Sequence, residues 1–294
     1  MLFKETLDRL RPEVEAAVNE LFDAIQRNQS HPQDLLLTRI GRYDGPGMTG
    51  YKPFGPGEGS WEREAENTQY EFYDFYRRQY ETAPRVEFFK NALADEQLLK
   101  SVGLSMQLEL MIYLRFWETD RLLTKLYHYT QLALGTPYNW QYRIDPDMKR
   151  HKLIREDIRD PLQTICPTYY ALLKRMYRSQ IRNAVAHSQY YITGHHIGFN
   201  NYKAGTYSDL TQKPFDWWEA IFHTVILFYN ELIRHDQQLN DRAKRQDQLS
   251  MGAGIQIKYT DPTLGKEDLV YWKYNYERDI WDWAPPRTQA GLFI

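Results

Sequence analysis

Apolar residues recur every three or four positions through most of this chain, the period of an amphipathic helix, and give way to strict alternation only in short stretches. Over 4–28, Leu7, Leu10, Val14, Val18, Leu21 and Ile25 mark a first helix, with Pro12 expected to divide it into a short lead and a longer body. A second pattern, over 61–80, crowds Tyr70, Phe72, Tyr73, Phe75, Tyr76 and Tyr80 together. The strongest runs over 98–134 and carries Leu108, Met111, Ile112, Leu122, Leu126, Tyr129 and Ala133, stopped by Gly135-Thr136-Pro137. One helix is expected from Pro167 to about His187, with Tyr169, Leu172, Leu173 and Met176 on one face. Another, opened by Pro214, runs from Phe215 to about Asp247, and its polar end over 240–248 is expected to project beyond the core.

Two stretches read as strands. Tyr191, Ile192, Ile197 and Phe199 flank Gly194 and predict a short hairpin over 190–201. Ile255-Gln256-Ile257-Lys258-Tyr259 and the run 269–276, separated by an Asp261-Pro262 turn signal, predict a C-terminal hairpin. Residues 41–59 hold seven of the 16 glycines, a density that breaks regular structure and predicts a long loop. No Gly-Lys-Ser/Thr follows Gly55-Pro56-Gly57-Glu58-Gly59-Ser60, so a Walker-type phosphate loop is not indicated. The stretch 142–160 shows only a polar, basic character.

Composition narrows the function classes. A formal net charge of −2 excludes a globally basic surface, so any nucleic-acid partner needs a local patch. Cys166 is the single cysteine, which removes an intrachain disulfide and a thiolate zinc site; it reads as a packing residue. Aromatic residues make up 15% of the chain, enough to serve a core, an interface and base stacking. No window approaches the ~18 apolar residues of a membrane span, and Met1-Leu2-Phe3-Lys4-Glu5 leads into charged helical sequence without an apolar signal region, so a cytoplasmic protein without membrane contact is expected.

The candidate chemistry lies at Arg182-Asn183-Ala184-Val185-Ala186-His187. On an unbroken α-helix Arg182 and His187 point ~140° apart and cannot grip one phosphate together. The strand-like sequence that follows predicts a helix ending at the motif, which swings His187 off the helical direction. A guanidinium is permanently charged and matches the added negative charge of a pentacoordinate phosphate. An imidazole titrates near neutrality and suits proton transfer to or from RNA oxygens, with no metal or other cofactor. Lys174, Arg178 and Arg182 recur at intervals of four, and 161–187 contains four basic residues and no acidic one, the local patch the whole-chain charge conceals. Adjacent His195 and His196 face opposite sides of a strand and make a poor metal pair. His223, amid Ile221, Phe222 and Val225, reads as a hydrogen-bonded core residue, and Ser188 has no acid partner for a triad.

The phrase Tyr177-Arg178-Ser179-Gln180-Ile181-Arg182-Asn183-Ala184-Val185-Ala186-His187-Ser188 resembles the R-x4-H signature of the HEPN superfamily, as does a long earlier helix available to pack on the motif helix. The resemblance covers about 98–247. It implies a mainly α fold, a HEPN-type helical bundle at 98–248. An N-terminal helical extension (1–97, with the Gly/Pro-rich loop 41–59) precedes it, a short hairpin follows the motif helix, and a C-terminal β hairpin and tail (249–294) ends it. It further implies a metal-independent endoribonuclease of antiviral defence or a toxin system, leaving a 2′,3′-cyclic phosphate, in a homodimer with a composite active site. The catalytic candidates are Arg182 on the phosphate, His187 in proton transfer, Asn183 as an orienting group and Glu118 as a polar residue from the long helix. A structural salt bridge of Glu118 with Arg115 or Arg121 is an equal expectation. Lys174, Arg178 and Tyr190 are the RNA-binding candidates. An antitoxin or sensor protein is a further expected partner. Gln189 stands where toxins controlled by tyrosine modification carry Tyr, so that control is not expected. The competing expectation is a HEPN module that binds RNA, nucleotide or a protein without cutting.

Overall fold

A computed structural model describes residues 2–31, 33–38, 71, 96–136, 142, 144–145, 147–193, 196–206, 208–249, 254–260, 267–277 and 280–284. The loop expected at 41–59 lies outside the described residues, as does all but Glu71 of the helix expected at 61–80. Among the described residues the helices are α1 (Lys4–Asn28), α2 (Asp34–Leu37), α3 (Glu96–Glu118), α4 (Asp120–Leu134), α5 (Arg150–Lys152), α6 (Pro167–Met176), α7 (Ser179–Ala186) and α8 (Phe215–Leu249). α5 continues through a π-helical turn, Leu153–Arg159, and a 3₁₀ turn, Asp160–Leu162. The strands form two antiparallel three-stranded sheets. One orders β1 (Tyr190–Thr193), β2 (His196–Phe199) and β3 (Gln212–Pro214); the other orders β4 (Ile255–Thr260), β5 (Glu267–Asn275) and β6 (Ile280–Ala284). The mainly α fold with a C-terminal hairpin is therefore present, with β3 and β6 extending each hairpin by a strand.

α1 runs unbroken through Pro12. That residue is exposed and lies inside the helix, where it removes the bond to the Asp8 carbonyl; burial of the apolar stripe that follows outweighs that cost. Its apolar stripe, Val14, Ala17, Val18, Leu21 and Ile25, is fully buried and joins the same core as Tyr113, Leu123, Leu173 and Phe228. α1 packs on α4, α6 and α8. Glu20 of α1 also accepts a hydrogen bond from Tyr169 N (2.9 Å), satisfying an orphan donor at the start of α6. Cys166, just before α6, is buried, and burial pushes its thiol up to about 11, consistent with packing. His223 is also a core residue: Phe3 N donates to its Nε2 (2.9 Å), and Nδ1 lies 2.8 Å from Glu219 O.

Three expectations are corrected. The helix expected over 98–134 is two, because Thr119 (φ −76°, ψ 106°) is extended and separates α3 from α4. The helix expected from Pro167 to His187 is also two, broken at extended Tyr177 and Arg178. The polar end of α8 does not project. Ala243 and Asp247 are buried there, and Asp247 Oδ2 accepts a hydrogen bond from Tyr274 N (3.3 Å) of the C-terminal sheet. Leu104, Leu108 and Met111 on α3 are exposed at 66%, 37% and 55%.

Candidate functional site

The break before α7 is held from α3. Tyr113 is completely buried, and its hydroxyl donates to Met176 O (3.1 Å) while accepting from Arg178 N (3.0 Å). One side chain thus satisfies the last carbonyl of α6 and the N–H just before α7, which the extended residues between them leave without helical partners. Burial pushes the phenol pKa far up, so it remains a neutral donor.

α7 ends as its sequence predicts. His187 N makes a final helical bond to Asn183 O (3.1 Å), and His187 itself leaves helical geometry at φ −112°, ψ 13°. Ser188 then adopts φ +52°, with Ser188 N bonded to Val185 O (3.3 Å) and Gln189 N to Ala184 O (2.7 Å). This is the Schellman closure, in which the positive-φ position is ordinarily glycine. Gly135 ends α4 with the same pair of bonds, to Leu132 O and Gln131 O, at φ +64°. The turn leaves His187 exposed and sends the chain into β1.

Arg182, half-buried on α7, donates through Nε to Glu118 Oε1, with Nη2 also against that oxygen. Its Nη1 donates to Asn183 Oδ1 (2.9 Å). A guanidinium has five N–H donors, so this arrangement fixes its plane and still leaves one N–H on each terminal nitrogen for an anion. Glu118 is the last residue of α3, and the Thr119 break is what frees it to reach across. Its partners are Arg182 and, through Oε2, Arg150 Nε at 3.5 Å, rather than Arg115 or Arg121. Arg150 in turn donates to Asp120 Oδ1 (2.8 Å).

The structure brings Arg182, Asn183 and Glu118 into contact and places His187 one turn beyond them. It does not assemble the expected stripe of Lys174, Arg178 and Arg182, because the chain is extended between the first and last. Lys174 is exposed, its Nζ 5.6 Å from the Tyr170 ring centroid, and Arg178 is exposed just ahead of α7. Tyr190 is half-buried; its hydroxyl donates to Gln107 Oε1 of α3, and burial raises its pKa. His196 is exposed, while His195 lies outside the described residues.

Sequence reasoning missed Tyr113 and Arg150. Tyr113 gave no signal, being one more apolar position in a helix. Arg150 belongs to the basic stretch where Leu153, Ile154, Ile158 and Leu162, all buried, already showed a near-helical spacing. No protein family, curated protein or solved structure matches this chain in comparisons with known proteins.

Proposed function

We propose that the chain is a metal-independent endoribonuclease that cleaves single-stranded RNA through attack by the 2′-hydroxyl. The observation carrying this reading is the Glu118–Arg182–Asn183 arrangement on a helix that stops at His187. The two free Arg182 donors bind the non-bridging oxygens of the scissile phosphate and strengthen as a fifth oxygen joins phosphorus. His187, exposed at the turn, exchanges protons with solvent and with the substrate. The 2′-oxygen forms a bond to phosphorus as its proton passes to a base. The bond to the 5′-oxygen breaks as that oxygen is protonated, leaving a 2′,3′-cyclic phosphate and a 5′-hydroxyl. One imidazole serves either transfer, and a second protomer supplies the other in a homodimer with a composite site. Leu104, Leu108 and Met111, within a ~60° stripe on α3, provide an apolar face for that second copy. Antiviral defence or a toxin system, with an antitoxin or sensor as regulator, is the biological setting this chemistry fits, in the cytoplasm. Among the described residues no helix is long and apolar enough to cross a membrane.

The test is cleavage of single-stranded RNA in EDTA by the purified protein. Arg182→Ala and His187→Ala each abolish it while circular dichroism is unchanged. Cleavage surviving both substitutions sinks the assignment. RNA bound but never cut identifies the non-cleaving binding module instead.

A further inference from the structure

The strand that leaves His187 opens a sheet with two unlike faces. Side chains alternate across a strand, and the pairing of β1 with β2 puts Tyr190, Ile192, Ile197 and Phe199 on one side. Ile197 and Phe199 belong to the core, and Tyr190 and Ile192 pack against it. The opposite side carries two cross-strand rows, Tyr191–Gly198–Gln212 and Thr193–His196–Pro214. Tyr191, Thr193, His196, Gln212 and Pro214 are all exposed. Neither row holds a carboxylate that would repel a phosphate backbone, nor a large aliphatic side chain of the kind that centres a protein interface.

Tyr191 is seated on its neighbour. A Cβ on Gly198 would overlap Cζ, Cε1 and the hydroxyl oxygen of the Tyr191 ring, so the ring rests directly on the glycine backbone. Gly198 is consequently buried between two exposed row neighbours, while Tyr191 itself is 43% exposed. An aromatic ring braced on one side and open on the other is ready to receive a second flat group, with little ordering left to do on binding. Gln212, in the same row, offers both a donor and an acceptor from its carboxamide, and His196 and Thr193 add polar groups one row along. A π surface bordered by hydrogen-bonding side chains matches a nucleobase, which has a flat face and a polar edge.

The sheet is also fixed to the helix that carries Arg182. Gln189 N donates to Ala184 O (2.7 Å) at the end of α7, and Asn200 N donates to Gln189 O (2.8 Å). Gln180, fully buried on α7, donates to Leu210 O (2.7 Å) and accepts from Leu210 N (2.8 Å), while its backbone carbonyl accepts from Asn201 Nδ2 (2.9 Å). Tyr191 follows His187 by four residues, so their backbones lie within about 14 Å even at full extension, roughly the span of two nucleotides. Ring and motif therefore move as one frame.

We propose that the outward face of β1–β3 is a base-binding platform, on which Tyr191 stacks a nucleobase flanking the scissile phosphate and Gln212 hydrogen-bonds its edge. The inference rests on the ribonuclease reading for which phosphate lies at Arg182. A base held at a fixed distance from the motif sets the register of the strand, and its edge contacts give the site a sequence preference.

The probe is a fluorescent 2′-O-methyl RNA dodecamer, which lacks the nucleophile, titrated by anisotropy over a range of salt. Tyr191→Leu weakens binding about tenfold and leaves the log–log salt slope unchanged, because stacking releases no counterion. Tyr191→Phe keeps the ring and binds like the wild type. The Tyr191→Leu penalty vanishes on an abasic strand, which has the phosphates and no base to stack. Gln212→Ala, an exposed change that leaves the melting temperature unaltered, narrows the wild type's discrimination among homopolymer dodecamers. Wild-type binding by Tyr191→Leu overturns the platform, as does a loss that persists on the abasic strand. A Tyr191→Leu defect that appears together with a smaller mass in light scattering assigns the face to a second copy of the chain and overturns the RNA reading of it. Tyr191-dependent binding by a wild type that never cuts RNA sinks the nuclease reading and leaves the platform standing. A wild type that cuts RNA, with binding and cleavage both indifferent to Tyr191→Leu, sinks the platform alone.

Discussion

Glu118 closes α3 and accepts the Nε–H of Arg182 from α7, joining residues 64 apart in sequence through a half-buried ion pair. Removing the carboxylate frees the guanidinium to swing. Glu118→Ala therefore lowers RNA cleavage on the order of 10- to 100-fold, because a misplacement near 1 Å has that effect on a positioned group. It destabilises the fold by about 1–3 kcal/mol at most, since the pair is partly solvated. Glu118→Gln keeps an acceptor and loses less. Single-turnover cleavage and urea denaturation of the three proteins separate the two effects.

Tyr113→Phe deletes one oxygen and strands two backbone groups, Met176 O and Arg178 N. A loss of about 1–3 kcal/mol is expected in chemical denaturation. Hydrogen exchange at Arg178 and along the first turn of α7 accelerates more than exchange in α1. Uniform exchange changes contradict this role for Tyr113.

Ser188 occupies a left-handed position that favours glycine. Ser188→Gly relieves the strain and stabilises the protein by up to about 1 kcal/mol, or about 2 °C in melting temperature. Ser188→Val lowers it and impairs cleavage by loosening the turn that presents His187.

His235 is buried beneath a stacked Phe22 ring (centroids 4.0 Å), with Nε2 3.0 Å from Asn19 Oδ1. Burial, followed by the charge of Arg234, lowers its pKa from the ordinary 6.5 to about 4. Between these values the unfolded chain binds a proton that the folded chain refuses, so stability falls as pH drops from about 6.5 toward about 4, by at most about 3 kcal/mol. Denaturation of His235→Gln at about pH 7.5 and about pH 5 shows a smaller loss than the wild type.

Leu104→Glu with Met111→Lys places opposite charges on the exposed face of α3. Light scattering then reports a shift from dimer to monomer, with little change in helix content. An unchanged mass removes that face as the dimer contact.

Periodicity was enough to announce α1 and α8, because a helix that must bury one stripe writes its 3.6-residue period into the chain. The same argument placed the end of α7. Strand-like sequence after His187 left the helix nowhere to continue, and the Schellman bonds at Ser188 follow. The π turn at 153–159 was illegible: its apolar spacing is close to helical, and the extra residue per turn is a matter of backbone geometry alone.

The sequence by itself determined the mainly α fold, the helix faces of α1 and α8, both hairpins and the termination of the motif helix, all consequences of local period and local turn chemistry. Tertiary structure alone decided the breaks at Thr119 and at Tyr177–Arg178, and with them the pairing of Glu118 and Arg182. Both flanking sequences are good helix formers. Propensity separates helix from coil by only tenths of a kcal/mol per residue, so the buried Tyr113 hydroxyl and the ion pair outweigh it. Which carboxylate meets Arg182 is therefore a property of the packed chain, absent from any window of it.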